Sequence, residues 1–177
     1  MHSPARVNKF HLWVHLQQTY ALIRGCAQDF RFRSNITIEQ FAVLWNIKYI
    51  TEIRRKPVIL TDLVSISLRN INSVSEIVNR MEKLGLLQKI KDLPDQRNVR
   101  LVITHKGEKA FTNNSIPNFK LVDRIFSTFN DNEVEIMLKL IKKLRKWILQ
   151  DFHDNRFKWD PMIDDPANID KFLDKLL

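Results

Sequence analysis

Apolar residues recur every three or four positions along the N-terminal segment. The recurring positions are Phe10, Trp13, Leu16, Tyr20, Ile23, Ala27 and Phe30. This spacing is typical of one face of an amphipathic α-helix. Leu12 and Leu22 lie off that face, so the predicted helix is apolar on more than one side. Gly25 lies inside the segment at a cost of about 1 kcal/mol, which leaves the continuity of the helix open there.

A second helix is predicted from about 38 to 53. The stretch Thr37-Ile-Glu-Gln40 has the form of a capping box, in which the Thr and Gln side chains satisfy the free amides of a helix start. Phe41, Leu44, Ile47 and Ile50 supply its apolar face. Pro57 closes the segment, because the residue before a proline disfavours the helical conformation.

Two shorter helices follow, over about 59–67 and 72–84, with a break at Arg69-Asn70. Gly85 stands where the end of a helix favours a left-handed residue. The period then changes to two, which is typical of a strand. Leu87 to Lys91 and Val99 to Ile103 alternate as an antiparallel pair, and Pro94 favours a turn between them.

Helical spacing resumes at Thr104 and leads into a final long helix over about 131–150. The predicted fold is therefore mainly α with one β-hairpin (α+β), and its centre is a winged helix-turn-helix. In that arrangement the first short helix braces the second, which can enter a DNA major groove roughly 12 Å wide.

The second short helix has the two faces that this role needs. Val74, Ile77, Val78 and Met81 form the inward face. The outward positions are Asn72, Ser73, Ser75, Glu76, Asn79 and Arg80. Short Asn and Ser side chains permit close approach to base edges, and Arg80 can reach a phosphate. A solvated helix face without a partner is the alternative.

The composition fits one globular domain of 177 residues, 44% apolar, with only 3 Gly. No apolar run approaches the roughly 18 residues of a membrane span. The single cysteine, Cys26, excludes an internal disulfide and favours the reducing cytoplasm.

The charge is divided unevenly along the chain. Residues 151–177 carry seven Asp and four Lys or Arg, a net charge of −3. Because the net charge of the whole chain is +9, residues 1–150 carry a net charge of +12. A basic body of this kind favours a polyanionic partner such as nucleic acid.

The sequence gives no sign of an enzyme or of a cofactor. It contains no G-x-S-x-G, H-E-x-x-H, C-x-x-C or phosphate-loop pattern. His11 and His15 stand four apart on one helix face, but two ligands without a third nearby make a poor metal site. No metal is therefore expected.

The segments "MEKLGLL" (81–87) and "DLPDQRNVRLVITHKGEKAF" (92–111) resemble the MarR family of winged helix-turn-helix transcriptional regulators. The family's wing signature is D-x-x-D-x-R, an apolar strand, and then a Thr shortly before a Gly. It matches Asp92, Asp95, Arg97, Val99, Leu101, Ile103, Thr104 and Gly107. The resemblance covers about residues 8–150.

The resemblance implies a sequence-specific regulator of double-stranded DNA, with repression as the expected effect. It implies that Asp95 pairs with Arg97 across the wing tip and orients it for insertion into the minor groove. A narrow minor groove concentrates negative potential, and a nearby carboxylate can hold a guanidinium in one orientation. Asn72, Ser73, Ser75, Asn79 and Arg80 become the predicted contacts of the recognition helix with DNA.

The resemblance also implies a homodimer formed by the terminal helices. The apolar stripes over 10–30 and 134–152 independently exceed what one small domain can bury. The predicted organisation is a dimerisation region (1–35 and 118–150), a DNA-binding lobe (36–117) and an acidic tail (151–177). A two-fold dimer predicts a pseudo-palindromic operator. Within the tail, a short helix is expected near 167–176, and Phe157, Trp159 and Leu173 are expected to pack on the body.

Members of the family bind a small, often aromatic or anionic, effector between the dimer helices and the DNA-binding lobes. The side chains available to such a cleft are Trp13, His15, Tyr20, Trp45 and Tyr49. Aromatic residues at these spacings are more often core, so no effector-binding residue is assigned.

Two alternatives remain open. Glu76 lies where many family members carry an arginine that faces DNA, which favours a winged-helix module that binds a protein instead. Cys26 invites a redox-sensing role, but the redox-sensing members carry their cysteine about where Val14 stands, and Cys26 has no resolving partner. A small buried thiol is the expected reading of Cys26.

Overall fold

A computed structural model of the chain describes residues 4–31, 35–95, 97–151 and 165–175. The elements in chain order are α1 (Pro4–Arg31), α2 (Ile38–Tyr49), a π-helical turn π1 (Ile50–Arg54), α3 (Leu60–Ser67), α4 (Ile71–Lys83), β1 (Leu87–Ile90), β2 (Arg100–Ile103), α5 (His105–Phe126), α6 (Asp131–Asp151) and α7 (Pro166–Leu173). The mainly helical class with a two-stranded hairpin is confirmed.

The N-terminal helix runs unbroken through Gly25, so the question raised by that glycine is resolved in favour of one helix. A Cβ atom at Gly25 would meet nothing within 4 Å. The expected burial of Cys26 is wrong, because its thiol is exposed. The reason is that α1 contacts the rest of the protomer mainly through α2, which leaves most of its sides uncovered.

The capping box of α2 forms as predicted. The Thr37 hydroxyl accepts the Gln40 amide N–H at 3.2 Å, and the Gln40 side-chain oxygen accepts the Thr37 N–H at 2.9 Å. The first turn of α2 is therefore satisfied from both directions.

Replacing Thr37 with alanine should lower the free energy of unfolding by about 1 kcal/mol, because one orphan amide of α2 loses its acceptor. Urea denaturation followed by circular dichroism measures this change. Thr37→Ser, which keeps the hydroxyl, is the matched control and should stay close to the wild type. Equal losses in both variants would mean that the cap contributes nothing.

The end of α2 differs from the prediction. Instead of a regular helix to residue 53, the chain widens into π1 at Ile50, whose side chain is fully buried. Arg55 then takes a left-handed conformation with φ of 50° and donates its N–H to the Thr51 carbonyl at 3.1 Å. Pro57 explains why the helix must stop here, since Lys56 before it disfavours the helical region.

The core lies inside the lobe formed by α2 to α5 and the hairpin. Its largest fully buried side chains from these elements and π1 are Tyr49, Phe111, Leu44, Ile50, Leu63, Met81, Leu87 and Val78. The inward face predicted for α4 is confirmed, because Val74, Ile77, Val78 and Met81 are all buried. This burial fixes which side of α4 meets solvent.

The hairpin pairs β1 with β2 in antiparallel register, with Leu87 opposite Ile103 and Ile90 opposite Arg100. The second edge of β2 is also used, because the Leu101 N–H donates to the Val58 carbonyl at 2.8 Å. The segment after π1 thus supports the wing from the side. Each strand is one residue shorter at the tip than predicted.

The end of α4 and the start of α5 meet at the base of the wing. Gly85 has the predicted left-handed conformation, with φ of 70°. The Leu86 N–H donates to the Met81 carbonyl and the Gly85 N–H to the Glu82 carbonyl, both at 2.9 Å, which is the Schellman pattern. The Thr104 hydroxyl donates to the Gly85 carbonyl at 2.6 Å and accepts the Gly107 N–H at 3.1 Å.

The C-terminal elements depart from the lobe in different ways. In α6, every position is described and none is buried. The predicted tail helix exists as α7, which packs against π1. Leu173 is half-buried, while its neighbour Phe172 is fully buried. Phe157 and Trp159 lie outside the described residues, so their predicted packing stays a prediction.

Candidate nucleic-acid interface

The polar face of α4 is open to solvent. Asn72, Ser73, Asn79 and Arg80 are exposed and Ser75 is half-buried. Asn70 caps the helix, since its side-chain oxygen accepts the N–H groups of Asn72 at 2.8 Å and Ser73 at 3.2 Å. These amides are therefore occupied, and an approaching partner would meet the side chains of this face instead.

One of these side chains is tied to the wing. The Lys89 ammonium on β1 donates to the Asn79 side-chain oxygen and forms an ion pair with Glu82 at 2.8 Å. The Asn79 side-chain oxygen therefore already accepts a hydrogen bond from Lys89, a wing residue that the sequence did not single out. Lys89 brings a positive charge to the junction between α4 and the hairpin. The Arg80 guanidinium has no ion pair within the described part of the chain.

Ile71 was missed by the sequence analysis because it lies just before the predicted start of the recognition helix. It opens α4 and is 49% exposed. An apolar side chain at the first turn of a helix that enters a major groove can contact a thymine methyl group. Its place in the sequence, directly after the break at Arg69-Asn70 and among the polar residues Asn70, Asn72 and Ser73, is the signal that could have identified it.

The wing tip is organised by Asp95, in a different way from the expected one. One carboxylate oxygen accepts the Arg97 backbone N–H at 3.0 Å, and the other accepts the Asn98 side-chain amide at 3.1 Å. The Asn98 N–H also donates to the Asp95 carbonyl at 3.0 Å. The expected contact between the Asp95 carboxylate and the Arg97 guanidinium does not form among the described residues; the carboxylate accepts from the Arg97 backbone N–H and the Asn98 side chain instead.

Asp95 therefore fixes the backbone that carries Arg97 and leaves the guanidinium exposed. A fixed backbone with a free cationic side chain still presents Arg97 at the tip of the hairpin. The role of Asp95 in orienting Arg97 remains a prediction. In this structure, Asp95 could act through its hydrogen bond with the Arg97 backbone N–H.

The carboxylate–guanidinium fork of the wing is formed by other residues. Both nitrogens of the Arg100 fork donate to Asp92, and the Nε to Oδ1 distance is 3.0 Å. This hydrogen bonding lowers the pKa of Asp92 and raises that of Arg100. Because the folded-state pKa of Asp92 is depressed, the stabilisation is present above its usual value of 3.8 and is lost as the pH falls through the lowered value.

Large apolar side chains cover the outside of both long terminal helices. On α1 the exposed ones are Phe10, Leu12, Trp13, Leu16, Tyr20, Leu22 and Ile23. On α6 they are Val134, Ile136, Leu138, Leu140, Ile141, Leu144, Trp147 and Ile148. Contiguous apolar surface on this scale is unusual for a monomer and marks an interaction surface.

Comparison with known proteins places these features in a family. The sequence model of the MarR family matches residues 36–99, which hold α2 to α4, the first strand and the wing tip. The chain is 30% identical over 117 residues to YdcH, an HTH-type transcriptional regulator of Bacillus subtilis, covering 66% of this chain and 76% of the relative. The chain belongs to the MarR family of transcriptional regulators. A second regulator of the same organism, YsmB, is 27% identical over 74 residues, or 42% of this chain and 51% of the relative.

Solved structures of the MarR fold agree with this assignment. An organohalide-sensing regulator in its ligand-free form superposes with a TM-score of 0.74 at 25% identity, covering 86% of this chain and 88% of that one. MarR from E. coli in complex with operator DNA has the same fold, with a TM-score of 0.68 at 16% identity. That comparison covers 99% of the E. coli chain but only 80% of this chain, so a fifth of this chain has no counterpart in the E. coli structure.

The described helices of this MarR protein include two that exceed 20 residues at the termini, α1 and α6. Within the described ranges, none of the helices combines the length and the hydropathy that crossing a membrane would require.

Proposed function

We propose that two copies of this chain form a two-fold dimer that binds a pseudo-palindromic operator in double-stranded DNA and represses transcription there. The observation that carries the proposal is the pairing of a solvent-exposed polar face on α4 with uncovered apolar faces on α1 and α6. The first surface suits DNA and the second suits another copy of the chain. Residues 36–117 would form the DNA-binding lobe, and residues 1–35 with 118–150 the dimerisation region.

The dimer accounts for the exposed apolar surface. A two-fold interface lets the same patch on each copy cover its counterpart, which suits stripes that run the length of α1 and α6. Pro117 lies inside α5, next to the boundary between the lobe and the dimerisation region. Since proline removes one helical hydrogen bond, α5 is weakened at the point where the two regions would move relative to each other.

The contacts to DNA would come from two elements. The α4 face would enter the major groove through Asn72, Ser73, Ser75, Asn79 and Arg80, with Ile71 available to a thymine methyl group. Arg97 at the wing tip would enter the flanking minor groove, where a narrow groove attracts a cation. Lys and Arg side chains on both elements would add the salt-dependent attraction to phosphate.

What is known of related proteins supports both parts of the proposal, the binding of DNA and the response to a small-molecule effector. The E. coli protein was solved with operator DNA, and the organohalide-sensing regulator was also solved in a 2,4-dichlorophenol-bound form. The DNA binding of BpsR from Bordetella bronchiseptica is regulated by 6-hydroxynicotinic acid. We infer that a small molecule relieves binding here too, by favouring one of two spacings of the lobes.

Selection of random duplex DNA on the purified protein at about physiological salt tests the proposal. A pseudo-palindrome with half-sites about one helical turn, roughly 10 base pairs, apart is the expected result. Recovery of bulk DNA without a preferred sequence would favour the protein-interaction module instead. Glu76 is the residue that favours that second function, because its exposed carboxylate repels phosphate unless a cytosine amino group donates to it.

Replacing Arg97 with alanine should weaken binding to the selected operator by about 1–3 kcal/mol, which is between about fivefold and about 150-fold, without lowering stability. Fluorescence anisotropy with a labelled duplex measures the affinity. Lys120→Ala, which removes an exposed cation from α5 outside the wing, is the matched control and should change affinity by less than twofold. Equal losses of operator affinity in the two variants would mean that Arg97 contributes only through the net charge of the protein.

A second substitution, at Asp95, tests whether Asp95 acts on DNA binding through Arg97. If Asp95 acts only by fixing the Arg97 backbone, Asp95→Ala should weaken binding in the wild type but hardly at all in the Arg97→Ala background. A double-mutant cycle isolates this coupling. Additive losses would mean that Asp95 acts on DNA binding by another route.

A further inference from the structure

The C-terminal helix inserts one ring into the DNA-binding lobe. All eight residues of α7 are described, and Phe172 alone is buried, with 0% exposure. Its ring meets the Trp45 ring edge-on at 4.8 Å between centroids and the Tyr49 ring edge-on at 5.3 Å. These distances and near-perpendicular planes are the favoured geometry for aromatic pairs.

The receiving surface is aromatic as well. Trp45 and Tyr49 are four residues apart on α2, so they lie on one side of the helix. Phe119 of α5 packs against Trp45 at 5.7 Å between centroids, and Phe111 lies at 6.3 Å. The Phe172 ring therefore lies against two aromatic side chains of α2, and one of these, Trp45, packs in turn on rings of α5, an environment that suits a flat, neutral, one-ring group.

Apart from Phe172, the side chains of α7 are exposed or half-buried. Ile169 packs partly against the core, while Lys171, Asp170 and Ala167 are exposed. Just after α7, Lys175 forms an ion pair with Glu52 of π1 at 2.6 Å, and both side chains are at least 40% exposed. The Lys175 hydrogen bond lowers the pKa of Glu52. Exposed ion pairs contribute little, and a helix of this length is marginal by itself, so α7 can open locally without unfolding the lobe.

The site under α7 is connected to the wing. Glu52 belongs to π1, and the chain leaves π1 through the left-handed Arg55 to reach Val58. The Val58 carbonyl accepts the Leu101 N–H of β2, as described above. α7 therefore packs against the turn from which the chain leads directly to the residue that supports the wing from the side.

We propose that α7 is a detachable cap whose Phe172 ring fills an aromatic ligand pocket between Trp45 and Tyr49, so that a free one-ring aromatic molecule competes with the protein's own C-terminal segment. The cap keeps the pocket filled and π1 braced when no ligand is present. Exchange of Phe172 for a ligand frees α7 and changes the support of the wing. The effect on operator affinity rests on the proposed function, whereas the competition itself does not.

Binding of 4-fluorophenol, followed by ligand-observed fluorine NMR on the full-length protein, tests the competition. Phe172→Ala should bind the probe at least about tenfold more tightly than the wild type, because the competing ring is gone and a dry apolar space remains. Lys175→Gln, which loosens the cap without altering the pocket, should tighten binding by up to about fivefold. Lys171→Gln, which makes the same change at an exposed position next to Phe172 on the same helix, is the matched control and should leave the affinity unchanged.

Hydrogen exchange supplies the second readout. In the wild type, saturating 4-fluorophenol should speed hydrogen exchange across α7 and also in π1, because π1 loses its contact with α7. The proposal would be overturned by a folded Phe172→Ala protein that binds the probe no more tightly than Lys171→Gln does, or by a wild type in which the probe leaves the exchange rate of α7 unchanged. Should Phe172→Ala fail to fold, Phe172→Leu with Lys175→Gln gives the same comparison. No readout here contains DNA, so failure to bind an operator leaves this test intact.

Discussion

Replacing Gly107 with alanine is expected to destabilise the DNA-binding lobe by about 3 kcal/mol or more. A Cβ atom at this position would lie 2.0 Å from the Leu86 carbonyl oxygen and 2.7 Å from the Ile103 Cγ2 atom. The Leu86 carbonyl cannot move away without breaking the hydrogen bonds that hold it. The Leu86 carbonyl accepts the Thr104 N–H at 3.2 Å, and the Leu86 N–H completes the C-terminal cap of α4.

The expected result is a folded protein of much lower stability or one that does not fold. Urea denaturation at a fixed protein concentration measures the loss of stability, because the apparent stability of the proposed dimer would depend on concentration. Gly25→Ala is the matched control: nothing lies within 4 Å of its Cβ, and alanine should raise helix stability by up to about 1 kcal/mol. A Gly107→Ala protein as stable as the wild type would mean that α5 does not approach β1 so closely.

This glycine also explains why the wing signature ends as it does. Thr104 caps α5 and, through its hydroxyl, holds the Gly85 carbonyl at the end of α4. Gly107 lets that same turn of α5 touch the start of β1. The two residues therefore join the recognition helix, the hairpin and α5 at one point, which is why their spacing could be recognised in the sequence.

Features decided by neighbouring residues were predictable from the sequence. The capping box at Thr37, the left-handed Gly85 and the buried face of α4 each depend on residues a few positions apart. The position of the hairpin was also predictable, because Pro94 marks a turn between two short apolar segments. π1 was not, since one widened turn leaves the spacing of apolar residues nearly unchanged.

Features decided by the path of the chain were not predictable. The wing contains two aspartates and two arginines, and nothing in their order says that Asp92 pairs with Arg100 while Asp95 holds the Arg97 backbone. The strand register decides it, because Arg100 begins β2 at the tip end. Phe172 could not be predicted as core either, since its partners Trp45 and Tyr49 lie more than a hundred residues earlier.

A glutamate at Leu144 should convert the protein to a monomer and reduce operator affinity by about 100-fold or more. Leu144 is exposed near the middle of the apolar stripe of α6, so the proposed interface would bury an unpaired charge there. Two half-sites bound by one dimer gain a factor of about 10²–10⁴ from being linked, and a monomer forfeits that factor. Each monomer would still carry an intact α4 and wing.

Analytical ultracentrifugation and operator binding, measured on the same samples, separate this prediction from simple unfolding. Lys146→Glu is the matched control, because it adds the same carboxylate to an exposed position two residues along α6, about 200° around the helix and away from the stripe. It should stay dimeric and lose affinity only through its change of charge. If Leu144→Glu remains a dimer with full affinity, the apolar face of α6 does not form the interface, and the exposed stripe of α1 becomes the surface that joins the two copies.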